Sequence, residues 1–170
     1  MSKSIQEVVP FMAATLHSGE FRHDGVTPYI RHCADVADRV HYRYRHKWSH
    51  EQLDIATQVA WLHDTVERGR CTITDLMAEG LHPYVVSGIT RLTRRQEHSY
   101  DGYVQRLATD EVARGVKICD ILSNMADDPS DSMLRRYASA LLVLLAHERH
   151  HDVERDLGPA PDDSGASPTG

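Results

Sequence analysis

An all-α fold, a single bundle of seven or eight helices, is what this chain predicts, and three observations carry the prediction. Apolar residues recur at three- and four-residue spacing along most of its length, the signature of helices with one buried face. Helix-opening residues stand directly ahead of several of those stripes. No stretch combines period-two alternation with a hairpin turn, and no internal repeat occurs. A length of 170 residues suits one domain with its own core and is short for two.

The first helix opens at Ser4-Ile5-Gln6-Glu7, which has the form of a capping box, and continues through Val8, Phe11, Met12 and Leu16 to stop near Gly19. Pro10 must kink it or mark its true start. Phe21 to Val26 reads as a polar loop, with Gly25 available for a left-handed turn and Thr27-Pro28 as cap and first residue of a second helix. That helix runs to about His46 on the stripe Ile30, Cys33, Ala34, Ala37 and Val40, with Tyr29 packing on the central helix and His32 beside the stripe. Ser49-His50-Glu51-Gln52 is a second capping box and opens the central helix, expected to end near Arg68-Gly69. Its apolar positions Leu53, Ala56, Val59, Ala60, Leu62 and Val66 form a wide face, which places it inside the bundle.

Thr72 to Glu79 forms a short helix closed by Gly80, and Tyr84 to Leu92 forms the next. After the polar connection from Thr93 to His98 come helices at Ser99 to Ala108 and Glu111 to Ala126. In the latter Val112, Val116, Cys119, Leu122 and Met125 pack, while Lys117, Asp120 and Asn124 share a polar stripe at the edge of the buried face. Such a stripe suits a cleft wall. The last helix runs from Asp131 to about His147 with Leu134, Tyr137, Ala138, Leu141, Leu142 and Leu145 inward. Arg135 and Arg136 sit in its first turn, against the helix dipole, and a bound anion would offset that. Residues 1–151 are read as one domain, and residues 157–170, rich in Gly, Pro, Ser and Asp, as a disordered tail.

A net charge of −6 argues against a broad nucleic-acid or anionic-membrane surface and leaves room for a small phosphorylated ligand, which needs only a local group of cations. The longest apolar run, Tyr137 to Ala146, is half of a membrane span, so no membrane partner is expected. The N-terminus has no apolar signal core, and Cys33, Cys71 and Cys119 show no metal or redox spacing. Reduced core thiols in a cytoplasmic protein are the expectation. No oligomeric state is written in the sequence.

The chemistry concentrates at Ala60-Trp61-Leu62-His63-Asp64-Thr65-Val66-Glu67. An imidazole and a carboxylate side by side in a buried helix need a partner, and a divalent cation takes both. A continuous helix would carry Glu67 over the same patch, at i+4 from His63 and i+3 from Asp64, as an acid or base beside the ion. The further ligand candidates are His32 upstream and Asp120 on the late helix.

His32, His63-Asp64 and Asp120 stand in the order that marks the HD phosphohydrolase superfamily. Three segments sharpen the resemblance: Arg22-His23-Asp24-Gly25-Val26-Thr27-Pro28-Tyr29-Ile30-Arg31-His32, Trp61 to Glu67, and Val116-Lys117-Ile118-Cys119-Asp120-Ile121-Leu122-Ser123-Asn124. They resemble the hydrolase domain of RelA/SpoT proteins and the small alarmone hydrolases, over roughly residues 5 to 146. The resemblance implies an HD-domain helical bundle that binds one divalent ion, usually manganese, through His32, His63, Asp64 and Asp120. It implies as substrate a nucleotide with a 3′-pyrophosphate, such as guanosine tetra- or pentaphosphate. Glu67 would then position or deprotonate the attacking water, and Asn124 would hold a neighbouring oxygen. Arg22 resembles the basic residue beside the nucleotide, Lys117 could add charge near the phosphates, and Arg136 and Tyr137 resemble residues closing the pocket. The length beyond this domain admits no synthetase, so any alarmone role would be degradative.

Two positions depart from the family. The acid that usually follows Glu67 is Arg68, which reverses a charge near the expected water, and His23 stands where lysine is common. Either 3′-pyrophosphatase turnover is then weak or the substrate differs, which keeps two alternatives open: an HD-type 5′-nucleotidase or other phosphomonoesterase, and a degenerate metal- and nucleotide-binding module. The other histidines, His17, His41, His46, His50, His82, His98, His147, His150 and His151, are expected to be exposed.

Overall fold

Capping explains where most helices begin. In the computed structural model, which describes residues 5–157 and side chains from Val8 to Arg149, eight helices follow one another. They are α1 (Ile5–Leu16), α2 (Ile30–Tyr44), α3 (His50–Leu62), α4 (Ile73–Ala78), α5 (Pro83–Leu92), α6 (Tyr100–Ala108), α7 (Glu111–Met125) and α8 (Asp131–Leu157). Ser49 with Gln52 and Thr72 with Asp75 form complete capping boxes, while Ser99 and Asp110 accept from Gly102 and Ala113. Each such cap stabilises its helix by about 1 kcal/mol. Among the described residues the sole β feature is an isolated bridge between Phe21 and Pro28. No described helix is long and apolar enough to cross a membrane.

The bundle is organised around α3, packed against α1, α2, α5 and α7, and around α7, which touches α2, α3, α5, α6 and α8. Both bury apolar residues on more than one side: Ile55, Ala56, Val59, Ala60 and Leu62 from α3, and Val116, Ile118, Cys119 and Ile121 from α7. The α2–α7 contact is close because residue 115 is glycine; a Cβ there would lie 2.5 Å from the Trp48 ring, which itself stacks on Tyr44 at 3.8 Å. The three cysteines are free thiols, with Cys33 and Cys119 buried.

Four boundaries or faces differ from expectation. α3 ends at Leu62, six residues before Arg68, because the Thr65 hydroxyl and amide both take the Leu62 carbonyl (2.7 and 3.1 Å) and the chain turns through Gly69 (φ 68°). α2 starts at Ile30 rather than Pro28, since Thr27 spends its N–H and hydroxyl on the Asp24 carboxylate (2.8 and 2.6 Å). Of the two readings of Pro10, its marking the true start of α1 is excluded, because α1 already runs from Ile5. α8 extends to Leu157 and buries Tyr137, Ala140, Leu144 and Glu148, leaving Leu142 73% exposed and Ala138 exposed. The unbroken apolar run from Ala140 to Ala146 gives the helix no polar boundary from which to read its inward face. The Ser4 to Glu7 capping box, the side chains of His150 and His151 and the tail at 158–170 lie outside the described residues.

Candidate metal centre

Two helix ends and one helix face bring the polar residues together. His32 lies in the first turn of α2 and is 2% exposed; His63 caps the C-terminus of α3 and is equally buried; Asp64 follows it into the turns. Asp120 projects from α7 toward both rings. Its Oδ1 lies 3.1 Å from His32 Nε2 and 3.6 Å from His63 Nε2, and Asp64 Oδ1 lies 3.4 Å from His63 Nε2. The donor atoms of His32, His63 and Asp64 all fall within 4.8 Å of one another.

The partners on the far side of each ring fix what these nitrogens can do. His63 Nδ1 donates to the Ala60 carbonyl at 2.8 Å, and a carbonyl only accepts, so the neutral ring carries its lone pair on Nε2. His32 Nδ1 lies 3.1 Å from the Ser123 hydroxyl. Both Nε2 atoms are buried and satisfied by no hydrogen bond. Unsatisfied buried nitrogens facing carboxylates are what a metal site requires, and the mixed imidazole and carboxylate set suits a divalent first-row ion. Ligands at right angles around an ion with bonds of about 2.1 Å stand about 3 Å apart, close to the spacing here. The residues therefore fit the ion that the resemblance implies.

Charge in the cluster points the same way. Burial works against a charged His63, yet the Asp64 and Asp120 carboxylates outweigh it and hold the ring up to about 9. Burial likewise opposes the Asp120 anion, but Lys117, His32 and His63 keep its carboxyl well below the usual range. A region that holds protons this strongly on a buried imidazole is negative enough to hold a cation. Asp120 is braced along its own helix, accepting from Lys117 Nζ at Oδ2 and from Asn124 Nδ2 at Oδ1, both at 2.7 Å.

A cavity of about 250 Å³ lies beside the cluster, and Arg22, His23, Asn124 and Tyr137 all line it. The loop before α2 shapes that wall: Gly25 takes φ 69°, Asp24 accepts from the amides of Val26 and Thr27, and Arg22 N–H reaches the Thr27 carbonyl at 2.8 Å. Arg22 pairs with Asp127 at 2.5 Å and approaches the Asn124 carbonyl at 3.4 Å, so Asn124 bridges Arg22 to Asp120. His23 lies 3.2 Å from the same Asp127. Arg136 is not in the lining; its guanidinium stands 5.0 Å over the Tyr100 ring.

Glu67 lies in the turns that follow α3 rather than in a continuous helix. With α3 ended at Leu62, its exposed carboxylate is carried onto the connection before α6, where Oε2 accepts the Arg94 amide at 2.9 Å. Lys117, which could have been solvated, pairs with Asp120 instead.

Three residues have surroundings that sequence reasoning did not give them. Tyr29 donates its hydroxyl to Asp64 Oδ2 rather than simply packing on α3. Arg68 lies across the Tyr29 ring at 3.9 Å and donates to Glu20 at 3.2 Å. His17, expected to be exposed, is 3% exposed and pairs with Glu20 at 2.5 Å. The spacing of four from Val9 to Ala13 to His17, with the first two fully buried, was the available signal.

No family model matches this chain, and no curated protein matches it by sequence. Among solved structures it is similar to one described as a metazoan orthologue of SpoT that hydrolyses ppGpp and plays a role in starvation responses. The two share 18% identity and a TM-score of 0.64, over 91% of this chain and 99% of the other. The likeness shows the fold alone, an all-helical bundle shared with that structure.

Proposed function

We propose that the protein is a metal-dependent phosphohydrolase of nucleotides, and that its reaction is removal of the 3′-pyrophosphate from guanosine-3′,5′-bis(diphosphate). The observation that carries this reading is the convergence of His32, His63, Asp64 and Asp120 from three separate parts of the chain, with two buried imidazole nitrogens left for an ion. A shared fold with a protein described as hydrolysing ppGpp supports the choice of substrate.

These four residues would hold the ion, manganese being the proposed metal. When bound, it supplies Lewis acidity and charge neutralisation for attack of water on phosphorus. Arg22, His23, Tyr137 and Asn124 would receive the nucleotide in the neighbouring cavity, the guanidinium pairing with phosphate or stacking on the base. Lys117 would add positive charge at the phosphates, and Arg136 would close the pocket over Tyr100. Glu67, one of whose oxygens is taken by the Arg94 amide, would use the other to orient the water and accept its proton.

The test is incubation of manganese-loaded protein with guanosine tetraphosphate and, separately, with nucleoside monophosphates, identifying what is released. Pyrophosphate from the first supports the reading. Orthophosphate from the second alone would favour a 5′-nucleotidase, for which the observation is that Arg68 leaves Glu67 as the one acid after His63-Asp64. No product from either, with metal bound, would favour a binding module.

A further inference from the structure

Asp64 is the ligand with the least support from its own backbone. It follows the end of α3, in turns where the Arg68 amide bonds its backbone carbonyl at 2.9 Å while its carboxylate is bonded from another part of the chain. What orients it comes from elsewhere. The Tyr29 hydroxyl donates to Oδ2, which leaves Oδ1 as the oxygen facing His63 Nε2 at 3.4 Å. Tyr29 is itself enclosed: the His17 and His32 rings stand at 4.9 and 5.4 Å, and the Arg68 guanidinium covers its face at 3.9 Å.

Glu20 anchors this arrangement from both ends. Its carbonyl accepts the Tyr29 amide at 2.9 Å, and its carboxylate takes Arg68 at 3.2 Å, His17 at 2.5 Å and also Arg70. The arginine therefore has a task the acid it replaces could not perform. A carboxylate at position 68 would face the Glu20 carboxylate and the negative face of the Tyr29 ring.

We propose that Tyr29 is a positioning residue that locks Asp64 with Oδ1 toward His32 and His63, and that Glu20 holds Tyr29 in place through Arg68. The proposal rests on the metal-centre reading above. Residues that orient a ligand without touching the ion typically alter metal affinity by about 10- to 100-fold. The phenol is also where a neutral donor serves best, because it restrains the carboxylate without adding a cation beside the ion.

The experiment is calorimetric titration of manganese into the metal-stripped full chain, for wild type, Tyr29→Phe, Glu20→Gln and Asp64→Ala, with thermal unfolding of each metal-free protein. Tyr29→Phe keeps the ring and its stack and removes only the hydroxyl, so it should weaken manganese binding by about 10- to 100-fold. Its metal-free melting temperature should stay close to that of wild type. Glu20→Gln should lose about two- to five-fold, as for the loss of a partly exposed ion pair. If wild type binds manganese and Tyr29→Phe binds it equally well, the proposal is overturned while the hydrolase reading stands. If wild type itself does not bind the ion, both fall. Should Tyr29→Phe fail to fold, Glu20→Gln decides, and unchanged affinity there overturns the role given to Arg68.

Discussion

Asp64 and Asp120 face the same two histidine rings, yet they are supported in opposite ways. Asp120 belongs to α7, and its brace is local: Lys117 at i−3 and Asn124 at i+4 both bond it, so one stretch of helix carries ligand and support together. Asp64 lies past the end of α3 and is oriented by Tyr29, from a loop 35 residues away. A ligand on a helix interior can be read with its partners from sequence spacing. Asp64 cannot, because the hydroxyl that bonds its carboxylate comes from elsewhere in the chain.

Removing each in turn should separate the two most widely. Asp64→Ala and Asp120→Ala should both reduce manganese content to background and abolish turnover, with losses beyond the roughly 100-fold expected of a supporting residue. They should differ in stability of the metal-free protein. Asp120→Ala leaves the half-buried Lys117 ammonium without its carboxylate and should destabilise by about 2–3 kcal/mol, whereas Asp64→Ala should cost about 1 kcal/mol for one hydrogen bond. Equal melting temperatures in the two variants would remove the distinction.

A smaller effect lies on the substrate side. Arg22→Gln should raise KM for guanosine tetraphosphate by about tenfold, the loss of one charge-assisted contact, with manganese affinity unchanged. A loss of metal instead would mean that Arg22 acts through Asn124 on Asp120.

The loop that supports Asp64 should also be the acid-sensitive part of the pair. Burial opposes the Glu20 anion, but Arg70, His17 and Arg68 overcome it and hold the carboxyl down to about 2, against an ordinary value of 4.5. A depressed carboxyl contributes stability that is present above pH 4.5 and is lost as pH falls toward 2. In melts across that window the wild type should lose on the order of 1 kcal/mol that Glu20→Gln does not. The smallest effect is expected at Ser123→Ala, which frees His32 Nδ1 and should weaken manganese binding by about fivefold, the equivalent of one neutral hydrogen bond. No change there would leave the α2 ring held by packing alone.

Much of this molecule was legible before any coordinates. Most of the helices follow from apolar spacing and, at Ser49, from a capping box, because both signals are local. The Lys117, Asp120 and Asn124 stripe was visible for the same reason. The His32, His63, Asp64 and Asp120 set could be named because its order and flanking residues form a pattern, although the distances among them could not.

The tertiary structure alone decided the rest. It ended α3 at Leu62, because the Thr65 side chain competes for a carbonyl the helix would have used, and it brought the Arg94 amide to one Glu67 oxygen. It buried His17, turned Arg68 onto Tyr29, and brought the Tyr29 hydroxyl to Asp64. Periodicity reports which residues of one element face the core. It is silent on which loop from another element will supply a hydrogen bond, since that depends on where whole helices come to rest against each other.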